Sequence, residues 1–232
     1  MIERRPAGGL GRFHNDWLNA RYHFSFSGWH DPARMGWGDL RVWNDDEIAP
    51  RSGFPAHGHA DMEIITYVRT GAISHQDSLG NHGRTAAGDV QVMSAGSGIR
   101  HAEMNAEDET TTLFQIWIEP NRRGGPPSWG ARAFPKADRS GSFVTLASGR
   151  AGDADALPIR ADARVLGATL KAGEATRYDL APGRHAYLAT ASGDIEVNGV
   201  KLGARDGAAI RDEAVLEVKA LSDAELVLVD TR

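Results

Sequence analysis

The apolar positions of this chain fall in short runs separated by turn residues, with no sustained helical spacing. Glu63 to Val68 (EIITYV), Val90 to Met93 (VQVM) and Leu113 to Ile118 (LFQIWI) are rich in β-branched and aromatic residues, a composition that predicts strands. The last of these shows little contrast between alternate positions, so burial on both faces is expected. Leu40 to Trp43 predicts a further strand. Asn44-Asp45-Asp46 behind it reads as a solvated turn that ends the strand, because Asn and Asp favour turns; metal binding by these acids is the alternative reading. Asp77 to Asn81 and Ala95 to Gly98 are turn sequences; Ile73-Ser74-His75 precedes the first and Gly88-Asp89 lies between them. Short strands joined by tight turns predict a small β-barrel.

The C-terminal half repeats this pattern in weaker form. Gly193 stands where Gly71 does, Asn198-Gly199 is a hairpin signal, and Asp206-Gly207 follows the place of Gly88-Asp89. Leu216 to Val218 and Glu225 to Val229 end the repeat with strands. Such self-similarity predicts two barrels in tandem. Residues 1–130 are expected to form the first and 131–232 the second, with Asn121 to Trp129, which contains Gly124-Gly125-Pro126-Pro127, as linker. Residues 2–51 carry many aromatic residues and glycines, and are expected to cover a barrel mouth or pack between the barrels.

Composition removes several function classes. The 232 residues contain no cysteine, which excludes disulfides, thiolate zinc sites and iron–sulfur clusters. A net charge of −5 gives no general electrostatic reason to bind nucleic acid or anionic membrane. The N-terminus lacks the apolar stretch of a secretory signal, and no apolar run approaches the roughly 20 residues of a membrane helix. A cytoplasmic location is therefore expected.

Histidine carries the candidate chemistry. His57 and His59 are separated by one residue, as are His101 and Glu103. On strands, each pair points to one face. Two such strands could supply three imidazoles and a carboxylate to a divalent first-row metal. Glu63 also lies at even separation from His57 and His59, so regular strand geometry does not exclude it. His75 and His82, near a hairpin turn, read as exposed loop residues. His23 and His30 read as packing and surface residues, with substrate contact as the alternative. His185 is alone in the C-terminal half and cannot form such a site by itself.

The ordered set HGH, Glu63, Gly71, Gly88-Asp89, Gly96 and HAEMN resembles the two motifs of the cupin superfamily. HxHxDMEIITYV, GxISHQDSLGN, AGDVQxMSAGSGIRHxE and LFQIWIxP, with RVWNDDEI before them, resemble the pirin family more closely, in particular bacterial pirin-like quercetin 2,3-dioxygenases. The resemblance runs the length of the chain. Gly58, Ala60 and Ser94 depart from residues frequent in that family, and none is a proposed ligand; Ala60 bears on the pocket mouth.

The resemblance implies an all-β bicupin of two jelly-roll barrels with few short helices. It implies one metal, in the N-terminal barrel, with Glu103 rather than Glu63 beside His57, His59 and His101. Fe(II) is favoured, and nickel, copper, cobalt, manganese or zinc are compatible. The implied activity is opening of a flavonol ring by O2 with release of carbon monoxide, with Glu103 as proton acceptor. A monomer is expected. Resemblance to nuclear pirins implies an alternative, a metal-dependent regulatory protein with a protein partner; a dioxygenase for another enol is a third.

Overall fold

Alternation along the strands sorts side chains between two destinations, the interior of a barrel and the seam between two barrels. A computed structural model describes all 232 residues. Apart from two short 3-10 turns, Ala7–Gly9 and Lys136–Arg139, its regular structure is entirely β.

Each barrel combines a seven-stranded and a four-stranded sheet. The first barrel's large sheet runs, in spatial order, Ser128–Arg132, Val90–Ser94, Glu63–Thr70, Thr111–Ile118, Leu40–Ile48, Leu18–Tyr22 and Gly11–His14. Its small sheet runs Ser52–His59, Ile99–Asn105, Ala72–Asp77 and His82–Ala86. The second barrel repeats the plan. Ile2–Arg5 pairs with Gly207–Arg211 at one edge of its large sheet, and Ser128–Arg132 pairs with Val90–Ser94 at the matching edge of the first. The chain's first strand thus completes the second barrel, while residues on both sides of position 130 share one strand of the first.

Tight turns require glycine at equivalent places. Gly71 and Gly193 have φ of 73° and 77°, and an added Cβ would lie 2.5 Å from Thr111 Oγ1 or 2.2 Å from the Asp223 carbonyl oxygen. Asn198-Gly199, also at positive φ, joins Ile195–Val197 to Val200–Leu202 as the hairpin signal predicts.

The largest apolar cluster, of 23 buried residues, joins the barrels rather than filling either. Ile65 and Tyr67 with Phe114 and Ile116 contribute from one side, Tyr187, Ala189, Val227 and Val229 from the other. Charges enter this seam in pairs. Asp45 is fully buried between Arg69 and Arg205, and Glu225 accepts from Tyr67 and from Lys136.

This corrects the reading of Asn44-Asp45-Asp46 as a turn. The strand runs unbroken from Leu40 to Ile48, with all three residues buried. Asp45 faces the seam, where guanidinium groups offset the cost of burying its charge; Asn44 and Asp46 face the first barrel's interior.

Candidate metal centre

Ser52–His59 is an edge strand, which suits Pro55 because a proline has no N–H to donate to a ladder. Pairing with Ile99–Asn105 slips by one residue here: His101 faces His57, but Glu103 faces Phe54. Such a bulge bends the strand that carries it and re-aims its side chains. His57, His59 and His101 converge, with one ligand atom from each lying within 4.8 Å of the others. The Nε2 atoms of His57 and His101 are 3.2 Å apart. His57 Nδ1–H donates to the Pro55 carbonyl at 2.8 Å, which leaves its Nε2 lone pair facing the other two rings. Burial and the neighbouring His57 push the His59 imidazole down to about 4; burial, then His57, His59 and His75, push His101 down to about 3. Three imidazoles with convergent ligand atoms fit one divalent metal ion.

Glu103 stands apart from this group. Its carboxylate is 3% exposed and hydrogen-bonded inside the barrel: Gln91 Nε2 donates to Oε1 at 2.7 Å, Gln115 Nε2 donates to Oε2 at 2.8 Å, and the Thr66 hydroxyl lies 3.2 Å from Oε1. Burial raises its pKa against the pull of His75 and these donors.

Glu63 goes elsewhere. The even-spacing argument fails because the edge strand ends at His59, Asp61 turns the chain at a φ of 52°, and Glu63 starts a strand of the other sheet. Its Oε2 accepts from Ser94 Oγ at 2.6 Å and from the Arg160 backbone N–H at 3.0 Å.

His82 is exposed, but His75 is not a loop residue. It lies buried in Ala72–Asp77 opposite Glu103, its Nε2 donating to Asp77 Oδ2 at 3.0 Å. Its ring stacks on Trp129 at 4.7 Å and lies 5.4 Å from that of His101. Trp129, expected in the linker, is therefore part of the strand that backs the site. Neither His23 nor His30 reaches the pocket. His23 is fully buried in the seam, 2.7 Å from the Tyr187 hydroxyl, and His30 is exposed.

The histidines open into a pocket of about 400 Å³. Phe13, Trp17, Tyr22 and Phe26 come from the N-terminal segment, and Phe54, Ile64 and Trp117 from the barrel. His59 meets Trp117 edge to face at 4.9 Å. Four polar lining residues are buried: Asn44, Asp46, Glu103 and Gln115. Burial, then Asp45 and Glu103, push the Asp46 carboxyl well above the carboxylate range. Sequence reading missed Asn44 and Asp46 as pocket residues, whereas the expectation that the aromatic segment before residue 51 covers a barrel mouth is met by Phe13, Trp17, Tyr22 and Phe26. The density of aromatics before residue 30 was the available signal.

Residues 4–118 match the Pirin family model, and residues 145–231 match that of the quercetinase C-terminal cupin domain. A pirin-like protein of Caulobacter vibrioides is 69% identical over 99% of both chains. The chain belongs to the pirin family. Among other pirins, a quercetin 2,3-dioxygenase of Escherichia coli K12 is 39% identical, covering 99% of this chain and 98% of its own. The crystal structure of the Escherichia coli bacterial pirin YhhW in complex with nickel(II) matches with a TM-score of 0.93 at 38% identity, over 100% and 99% of the two chains. The two barrels are thus two cupin domains, and the three-histidine group in the first of them is a candidate site for one metal.

Proposed function

We propose that this pirin is a metal-dependent dioxygenase that opens the central ring of a flavonol, consuming both atoms of O2 and releasing one carbon as carbon monoxide. The observation that carries the reading is a group of three convergent imidazoles opening directly into an aromatic-walled pocket of flavonoid size. Relatives named as quercetin 2,3-dioxygenases agree with it.

His57, His59 and His101 would hold the ion, with Fe(II) favoured and Glu103 as fourth ligand. When bound, such an ion acts as a Lewis acid that lowers the pKa of a coordinated hydroxyl. The chain's own residues would do the rest. Phe54, Trp17 and Trp117 offer apolar faces that bury a planar ligand and exclude water from its enol. Glu103 is the only acid of the four proposed ligands, and it would accept the enol proton, leaving an electron-rich enolate to react with O2. Gln91, Gln115 and Thr66 orient its carboxylate.

The test is an aerobic assay of metal-reconstituted protein with quercetin, recording oxygen uptake and carbon monoxide together. One carbon monoxide per O2 consumed supports the reading. No uptake with a full complement of any of the compatible metals would remove it.

A further inference from the structure

Five adjacent strands of the first barrel's large sheet place one residue each in a row across its inner face: Tyr22, Asn44, Gln115, Thr66 and Gln91 are successive register partners. Glu103, reaching over from the small sheet, takes up hydrogen bonds from the Gln115, Thr66 and Gln91 end. The other end is unclaimed. Asn44 Oδ1 and, one step along the same strand, Asp46 Oδ1 are buried without any protein hydrogen-bond partner, in residues only 4% and 2% exposed. Both residues line the pocket that the three histidines open into.

Such groups are costly unless satisfied, since a buried acceptor without a donor forfeits its hydration. Solvent can supply donors while the pocket is open. A planar ligand that fills the pocket expels that water and must replace its hydrogen bonds. The Gln115 amide donates to Glu103, and Arg69 and Arg205 bind Asp45 on the other face of the sheet. Tyr22, beside Asn44 in the row, also lines the pocket, and its hydroxyl can serve at most one of the two oxygens. A ligand can supply the donors that remain.

We propose that Asn44 and Asp46 form a recognition shelf that accepts hydrogen bonds from phenolic hydroxyls of the substrate, on a ring remote from the enol that reacts at the histidines. The enol end is read by the metal centre and the apolar body by the aromatic walls. The shelf selects polyhydroxylated aromatic substrates over unsubstituted ones. Two acceptors two residues apart on one strand face can each take a hydroxyl of a polyhydroxylated ring. This inference rests on the flavonol reading of the site and adds the source of its substrate preference.

The experiment compares two probes that share the enol ring system, 3-hydroxyflavone and its 3′,4′-dihydroxy derivative. Their dissociation constants for full-length, nickel-loaded protein are measured without oxygen by quenching of tryptophan fluorescence. The wild type is expected to prefer the hydroxylated probe by roughly tenfold or more, the scale of one or two buried hydrogen bonds. Asp46→Leu combined with Asn44→Leu should bring the ratio close to one, whereas Asp46→Asn, which keeps shape and an acceptor, should retain most of it. Circular dichroism and metal content on the same preparations certify the fold. Equal ratios in wild type and double variant overturn the shelf. Turnover in air is scored separately, on protein loaded in turn with each of the compatible metals. A preference that depends on the shelf without turnover keeps the shelf and removes the oxygenase reading; turnover with no such preference does the reverse.

Discussion

The two barrels share one plan and differ in what their inward positions carry. In the first, the row across the large sheet is Tyr22, Asn44, Gln115, Thr66, Gln91. In the second, a like row is Leu166, Leu228, Leu188, Ala208. On the small sheet, Ile99–Asn105 turns His101 and Glu103 inward, while Val215–Ala220 turns Leu216 and Val218 inward. One barrel is left hollow and polar between two modest apolar clusters, of seven and four buried residues; the other is closed by a cluster of 17. The topology is therefore a frame that tolerates either filling. The apolar barrel and the shared seam supply the burial that the hollow barrel forgoes, so that polar groups inside the latter remain free for chemistry.

The contrast breaks first, and most visibly, at the histidines. His57→Ala or His101→Ala is expected to lower metal content far below one per chain and to reduce flavonol turnover to background, with the far-ultraviolet circular dichroism unchanged. Metal analysis and spectra on the same samples decide it; full occupancy in either variant would mean that the ion sits elsewhere. Glu103→Gln follows. Removing the proton acceptor while keeping its shape should lower turnover by roughly 10²–10⁴-fold, with three histidines retaining much of the metal. Near wild-type turnover would leave Glu103 without a base role, and joint loss of metal and activity would make it foremost a ligand.

Much of this frame is legible in the chain itself. The EIITYV and LFQIWI strands, the Asn198-Gly199 hairpin and the one-faced placement of His57 with His59 follow from local composition and period-2 spacing, while the meeting of that pair with His101 is expected from the family resemblance. What escapes is whatever depends on distant partners. Asn44-Asp45-Asp46 has turn chemistry locally; the arginines that let Asp45 stay in a strand are 24 and 160 residues away. His75 lies two residues before a turn, so only the Trp129 ring, 54 positions on, reveals its burial. The membership of Ile2–Arg5 in the second barrel has no local signal at all, since an edge strand can be supplied from anywhere in the chain.

The filled barrel should respond to loss of volume rather than of charge. Leu228→Ala or Leu188→Ala removes a fully buried side chain from the 17-residue cluster. A cost of about 2–5 kcal/mol is expected from urea unfolding, with unchanged metal per folded chain. A cost below about 1 kcal/mol would show that this core is loosely packed and that the contrast between the barrels is overstated.

The seam carries a pH dependence of its own. Burial, with Arg5, Arg34, Arg205 and Arg69 nearby, pushes the His23 imidazole from 6.5 down to about 3. The unfolded chain then binds this proton more readily than the folded one. Stability from His23 is fully present above 6.5 and is lost as pH falls towards 3, by at most about 1.4 kcal/mol per pH unit. His23→Gln should flatten the dependence of unfolding free energy on pH between about 6 and 4 by that amount. Parallel curves for variant and wild type would show that His23 protonates without opening the seam.

The smallest effect is expected at His185, the one histidine of the second barrel. It opens the strand His185–Ser192, opposite Thr231 and Arg211, and its ring meets Trp37 edge to face at 5.2 Å. Its Nδ1 is buried without a partner. His185→Ala therefore deletes two things of opposite sign: an aromatic contact that stabilises by about 0.5–1.5 kcal/mol, and an unsatisfied polar atom whose burial costs a similar amount. The net change in stability should stay within about 1 kcal/mol. Metal content and flavonol turnover should not move, because the interior beyond this strand is packed with leucine and alanine and offers no second donor. Measured side by side with His101→Ala, the variant tests the comparison from its quiet end. A fall in metal stoichiometry to half would mean that the second barrel also binds an ion, and that the division between a hollow, metal-binding barrel and a filled, supporting one is wrong.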